Sequence, residues 1–220
     1  VARGREVAAV GLSVAGLVSA DRAVVRFATH LPWREDRTAE RLAARWGVPV
    51  VMDNDVACAA VAEQQFGVGR GVDSFLLITV GTGLGGALVH HGALVRGANG
   101  MAGEFGHIRV VPDGRPCECG LRGCLEQYAS GNALVRLAGP DYEDGPAVTA
   151  AAGAGDSAAL QALVSIGDWL GVGIAGLVSA FDPALVIIGG GVSEAGELLL
   201  TPTRRAMDRA VHGAAHRDLP

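Results

Sequence analysis

The sequence predicts an α/β fold, in a chain of 220 residues that is long enough for one large domain or for one domain and part of another. Three observations carry that prediction. Short apolar segments recur along the chain and end in polar or glycine-rich tips. Helical patterns follow those tips, the strand–tip–helix order of α/β proteins. Half of the residues are hydrophobic and 19% are charged, the balance of a globular chain rather than a disordered one.

The elements follow in order. "EVAAVGLSVAG" has the pattern of a buried strand; the Val in first position reads as an alternative initiation codon or a cut. "WREDRTAERLAARWG" predicts an amphipathic helix ending at Gly47. "VPVVMDND" is a short buried strand with a polar tip, and "VACAAVAEQQFG" a helix ending at Gly67. "SFLLITVGTGLGGALVHHGALV" predicts two or three consecutive strands with glycine turns. "MAGEFGHIRVVPDGRPCECGLRGCLEQYASG" is loop-rich, with a short strand expected at "HIRVV". "SAALQALVSIGDWLGVGIAGLVSAF" is apolar nearly all round, so a buried helix, ended by Asp182 and Pro183. "ALVIIGGGVSEAG" is a buried strand running into a glycine turn and a helix start, and "ELLLTPTRRAMDRAVHGAA" is a helical tail. No internal repeat or low-complexity linker interrupts this series.

Composition excludes several chemistries. All eighteen basic residues are Arg. A Walker A loop, which needs a Lys on the phosphates, and a Schiff-base enzyme therefore cannot be built from this chain. The net charge of −5 and the lack of an Arg-rich run argue against direct nucleic-acid binding. "VARGREVAAV" carries charges inside its apolar stretch, unlike a signal peptide. The longest apolar run, "WLGVGIAGLVSAF", is shorter than the roughly 20 residues of a membrane span. Three of the four Cys crowd into "CECGLRGC", which is no secreted disulfide framework. A cytoplasmic protein without a membrane partner is expected.

Two kinds of site stand out. His107, Cys117, Cys119 and Cys124 make a one-His, three-Cys set with the composition of a closed structural Zn²⁺ site. Reduced surface thiols and a redox C-x-C are the alternatives; lone Cys58 reads as core filler. Asn54 and Asp55 stand at a strand's carboxyl end, where open α/β sheets bind ligands. There Asp55 can take a hydroxyl proton and Asn54 can donate and accept, although a plain helix N-cap explains the pair equally well. Glu104 and Glu126 bracket the metal set, placed to take neighbouring sugar hydroxyls or simply to face solvent. "TVGTGLGG", with Gly81, Gly83, Gly85, Gly86, Thr79 and Thr82, is either an anion-binding loop or a glycine hairpin. "IIGGGVSEAG" offers backbone to a flat ring but lacks the spacing of a Rossmann fingerprint.

Taken together, "DND", "TVGTGLGG", "GEFGH", "CECGLRGCLEQYASG" and "IIGGGVSEAG" resemble, in the same order, the ROK family of sugar kinases and sugar-responsive repressors. The resemblance covers nearly the whole chain and is closest to bacterial ATP-dependent glucokinases. It implies an actin-like ATPase (ribonuclease H-like) sugar kinase fold, with residues 1–55 as an incomplete small N-terminal α/β domain and 56–220 as a large α/β domain carrying a zinc-binding loop. It implies Asp55 as general base on a sugar 6-hydroxyl, and Asn54, Glu104, His107 and Glu126 as hydroxyl-binding residues, with His107 also a zinc ligand. Thr82, Gly83 and Gly85 fall in the second phosphate loop, and Gly190 and Gly191 in the adenosine pocket. ATP, Mg²⁺ and a structural Zn²⁺ are the implied cofactors, a hexose with glucose first the substrate, and a homodimer or homotetramer the assembly. N-acetylated hexosamines, fructose and a polyphosphate donor remain alternatives. Three departures stand beside the match. The family's Asp–Gly–Gly–Thr phosphate hairpin and its final segment are expected to be missing, and "NDVACAA" places Ala57 where an amide is common. The expected kinase therefore has two rivals: a ROK-type regulator without kinase activity, and a zinc-dependent interaction module.

Overall fold

The structure is a computed structural model and describes residues 6–28, 31–217 and 219–220. The first five residues, on which the reading of the chain's start rests, lie outside them. Among the described residues the first half of the chain forms β1 (Val10–Val14), β2 (Leu17–Val18), β3 (Val25–Phe27), β4 (Arg34–Asp36), α1 (Thr38–Trp46), β5 (Val50–Asn54) and α2 (Asp55–Phe66). β1 and β5 pair in parallel, with Ser13 opposite Asp53 and Val14 opposite Asn54. β2, β3 and β4 form an antiparallel sheet. This part has its own small core of Val14, Val18, Val25, Ala28, Ala39 and Met52.

The remainder is built on a four-stranded sheet. β6 (Phe75–Val80), β7 (Leu84–His90) and β8 (Ala93–Leu94) follow as an antiparallel meander, and β9 (Leu185–Gly189) joins in parallel beside β6. β6 is covered on both faces, which is why it is apolar at every position but Thr79, near the cleft. Leu76, Ile78 and Val80 enter the main core, while Phe75 and Leu77 pack with Ala60 of α2. Between β8 and β9 lie α3 (Glu126–Ala129), α4 (Gly131–Ala138), α5 (Gly145–Gly153) and α6 (Ser157–Phe181); α7 (Glu197–Ala210) follows β9. Asp156 caps α6 by accepting the N–H of Ala159, and Asp182 ends it in the left-handed region at φ 45°. α6 alone is long and apolar enough to cross a membrane, by length and composition, among the described residues; its most apolar window is 61% buried inside the protein, as befits a core helix. Its partner is α7. A side chain at Gly171 would overlap the Thr203 carbonyl, and one at Gly167 would come within 2.8 Å of Pro202, so these two glycines set how closely the helices approach.

Several expectations needed correction. Arg34–Asp36 is a strand, and the helix begins only at Thr38. The segment is held opposite β3, and Asp36 then accepts from the Thr38 hydroxyl at 2.7 Å, so the chain turns before it can coil. No strand forms at "HIRVV", where Arg109 makes one isolated bridge to Cys124. The N–H groups of Val110 and Val111 both go to the Gly123 carbonyl, so the cysteine loop takes the bonds that a neighbouring strand would have used. β1 and β5 are less buried than their apolar runs suggest, with Val14 and Met52 their fully buried members. "GGGVSEAG" forms a 3-10 turn at Gly191–Ala195 rather than a helix start. The tail helix stops at Ala210, before "VHGAA".

Candidate active site

The carboxyl ends of β5, β6 and β9 open onto one cleft of about 820 Å³, lined also by Gly16, Phe27, Gly103, Glu104, His107 and Glu126. This is where open α/β sheets place ligands. Asn54 is the N-cap of α2: its Oδ1 accepts the N–H groups of Val56 and Ala57 at 2.9 and 3.0 Å, and its Nδ2 donates to the Gly16 carbonyl at 3.2 Å. Its carbonyl oxygen is thereby fully used, which leaves one amide hydrogen for a ligand. Asp55 begins α2, exposed at the cleft wall, with the N–H of Val56 at 3.0 Å from Oδ1.

Glu104 and His107 face the same space. Burial among the cleft walls pushes the Glu104 carboxyl above its ordinary range, with Asp55 and Glu126 adding to the rise and His107 opposing it. The side chain keeps 42% of its surface open to the cleft, so the crowding comes from concave walls and not from enclosure. His107 connects two sites. Its Nε2 lies 3.8 Å from Glu104 Oε2, and its Nδ1 lies 3.7 Å from the Cys117 sulfur.

The ligand atoms of His107, Cys117, Cys119 and Cys124 all lie within 4.8 Å of one another. The Cys119 and Cys124 sulfurs are 3.7 Å apart, too far for a disulfide. That spacing matches the edge of about 3.8 Å expected for two thiolates on a tetrahedral Zn²⁺ with bonds of about 2.3 Å. Without metal, burial raises the Cys117 thiol, and burial together with the neighbouring cysteines pushes Cys124 up to about 12. The donor set and its spacing fit zinc. Gly123, at φ 79° and against the Val111 carbonyl, lets the loop close, since a side chain there would overlap that oxygen.

Glu126 begins α3 and reaches two neighbours. Oε2 accepts the Leu84 N–H at 3.0 Å, and Oε1 lies 3.9 Å from the Cys117 sulfur. Gly81, Thr82 and Gly83 form the turn of the β6–β7 hairpin. Its carbonyls at Gly81 and Thr82 accept the first N–H groups of α4, those of Gly131 and Asn132, at 2.7 and 3.2 Å. The hairpin's glycines are used against protein. A Cβ at Gly83 would meet Glu126, at Gly85 Val56, and at Gly86 Phe105. Gly190 lines the cleft at φ 87°, with its α-carbon against Val80, whereas Gly191 opens the following 3-10 turn outside the cleft lining.

The sequence reading overlooked Asp53 and Arg96. Arg96 Nε and Nη2 both donate to Asp53 Oδ2, at 3.0 and 2.7 Å, while Asp53 Oδ1 accepts the Asn54 N–H at 3.0 Å. No local signal reveals a pair 43 residues apart.

A model of the ROK family matches residues 2–219. The chain belongs to the ROK family. A glucokinase of Streptomyces coelicolor is 42% identical over 230 residues, spanning 96% of this chain and 73% of that protein. The crystal structure of a ROK family glucokinase from Streptomyces griseus in complex with glucose and AMPPNP superposes with a TM-score of 0.91 at 43% identity, covering 98% of this chain and 76% of that one. A ROK family transcriptional regulator, a homologue of the E. coli MLC protein, is similar at 30% identity and a TM-score of 0.86, over 96% of this chain and 56% of its own. The ROK fold, a mixed α/β actin-like ATPase sugar kinase fold, is thus the fold of this chain.

Proposed function

We propose that the protein is an ATP-dependent hexose kinase, a glucokinase, that phosphorylates the sugar 6-hydroxyl. The observation that carries this reading is the convergence of Asp55, Glu104 and His107 on one cleft, in a ROK chain similar to a glucokinase that holds glucose and AMPPNP. In this reading residues 1–55 and 56–220 are two domains that close on the substrates, and the separate small core of the first part supports that division.

Glu104, His107 and Glu126 take sugar hydroxyls, helped by the remaining N–H of Asn54. Asp55 accepts the 6-hydroxyl proton as that oxygen attacks the γ-phosphorus of ATP and the bond to the ADP oxygen breaks. The hairpin with Thr82, Gly83 and Gly85 lies along the phosphates, and Gly190, at the cleft wall, along the adenosine. Mg²⁺ supplies charge neutralisation on the transferring phosphoryl group. His107, Cys117, Cys119 and Cys124 hold Zn²⁺, which with four protein ligands has no open position and supplies structural cross-linking alone. Because His107 Nδ1 faces the cysteines and Nε2 faces the cleft, the knuckle fixes the ring that meets the sugar. A cytoplasmic setting follows from the ATP donor and the reduced thiols.

The test is a coupled assay of the full-length protein with Mg·ATP and single hexoses. Turnover that depends on glucose is expected. The similarity to a ROK transcriptional regulator supports a second reading, a sugar-responsive effector domain. Glucose binding without ATP turnover would establish that one and overturn the kinase.

A further inference from the structure

The strap between β8 and Glu104 ties two parts of the cleft together. Arg96 starts it, and its carbonyl accepts the Ala102 N–H at 3.0 Å, closing residues 96–102 into a loop two residues short of Glu104. At the loop's tip Gly100, with φ 80°, lies flat on the backbone of Val18–Ala20; a Cβ there would come within 2.5 Å of the Val18 carbonyl. At its base the Arg96 guanidinium grips Asp53 through two donors. Asp53 is 16% exposed and Arg96 34%, so the pair is shielded well beyond an ordinary surface ion pair. The other Asp53 oxygen holds the N–H of Asn54, the residue that caps α2 immediately before Asp55.

One side chain therefore fixes the strand tip that carries Asp55, and the same residue's backbone fixes the loop that delivers Glu104. We infer that Arg96, acting through Asp53, is a positioning residue that sets Asp55 against a hexose held by Glu104. This rests on the kinase reading above. Arg96 touches no reacting atom in that scheme; its effect is on where the base sits. Misplacement of a catalytic group by about 1 Å is enough to cost on the order of 10²-fold in rate.

The experiment compares Arg96→Met, Arg96→Lys, Asp53→Asn and the Asp53→Asn/Arg96→Met double variant in the full-length protein. Arg96→Met and Asp53→Asn are each expected to lower kcat by roughly 10-fold or more, with a smaller change in hexose KM and the zinc content unchanged. Arg96→Lys keeps a charge without the two-pronged donor and is expected to restore part of kcat. The double variant should be no worse than the poorer single one, because both remove one interaction. Single variants within twofold of wild-type kcat, an additive double variant, or Arg96→Lys as poor as Arg96→Met would each overturn the inference. Failure of the kinase reading shows separately, as a wild type without hexose-dependent turnover. In that event the coupling is read from amide hydrogen exchange. Loss of protection at both Asn54 and Ala102 in Arg96→Met retains the mechanical link, and unchanged protection removes it.

Discussion

The carboxylate of Glu126 accepts the backbone N–H of Leu84 at 3.0 Å, joining the start of α3 to the start of β7 across 42 residues. The bond hangs the glycine hairpin on the cysteine loop, since the other Glu126 oxygen lies 3.9 Å from the Cys117 sulfur. A residue that the sequence resemblance places among the hydroxyl-binding set thus also holds the hairpin that we propose lies along the phosphates.

Glu126→Ala should accordingly weaken both hexose and nucleotide affinity, while Glu126→Gln, whose amide oxygen can still accept the Leu84 N–H, should spare the nucleotide. Loss of a hydrogen bond to a charged acceptor of this kind costs about 1.5–3 kcal/mol. Separate calorimetric titrations with glucose and AMPPNP decide it. Equal nucleotide affinity in the two variants would leave Glu126 on the sugar side alone.

Metal content gives the next expected outcome. About one Zn²⁺ per chain should survive dialysis, and Cys119→Ser should lose it together with hexose affinity, because ligand-set completion is coupled to local folding. Elemental analysis that finds no stoichiometric zinc in the wild type would remove the metal from the account.

The same cluster predicts a pH dependence. Cys117 and Cys124 are raised in the metal-free protein, so both are protonated thiols near neutrality. Zinc must displace those protons, and each one displaced weakens the apparent affinity by about tenfold for every unit of pH lowered. Chelator competition from pH 6 to 8 should show affinity climbing with pH, and calorimetry in two buffers of different ionisation enthalpy should show proton release. An affinity flat across that range contradicts the thiol assignment.

Catalysis is probed at Asp55. Asp55→Asn should retain hexose binding and lower kcat by at least roughly 10²-fold, the scale of a lost general base. Near-normal kcat would exclude Asp55 as the base. The fold should be indifferent to the change, since the α2 cap is Asn54 and Asn at the next position keeps the helix start.

Packing offers a control remote from the cleft. Gly171→Ala places a methyl against the Thr203 carbonyl and within 2.7 Å of Ala206 Cβ, so α6 and α7 must separate. Overpacking of this kind costs about 1–3 kcal/mol. Thermal denaturation should show a lowered Tm with glucose affinity per folded molecule unchanged.

What the sequence alone determined was what depends on near neighbours. α6 announces itself by 25 residues of helical pattern between Asp156 and Asp182, each of which ends it through its own backbone geometry or side chain. The His107–Cys124 quartet is legible because a turn with Gly120 and Gly123 brings ligands close in sequence close in space. β6 is legible because burial on both faces leaves Thr79, at its cleft end, as the one polar residue in its apolar run. Tertiary structure decided the rest. "WRED" joins a strand because β3 stands opposite it, not because of its own composition. Gly83, Gly85 and Gly86 look alike in the chain, yet they make room for Glu126, Val56 and Phe105, neighbours no local pattern names. Arg96 and Asp53 meet across 43 residues, and Glu126 and Leu84 across 42. Side-chain type fixes what a residue can bond; only the packed fold, by bringing distant segments within about 3 Å, fixes what it does bond.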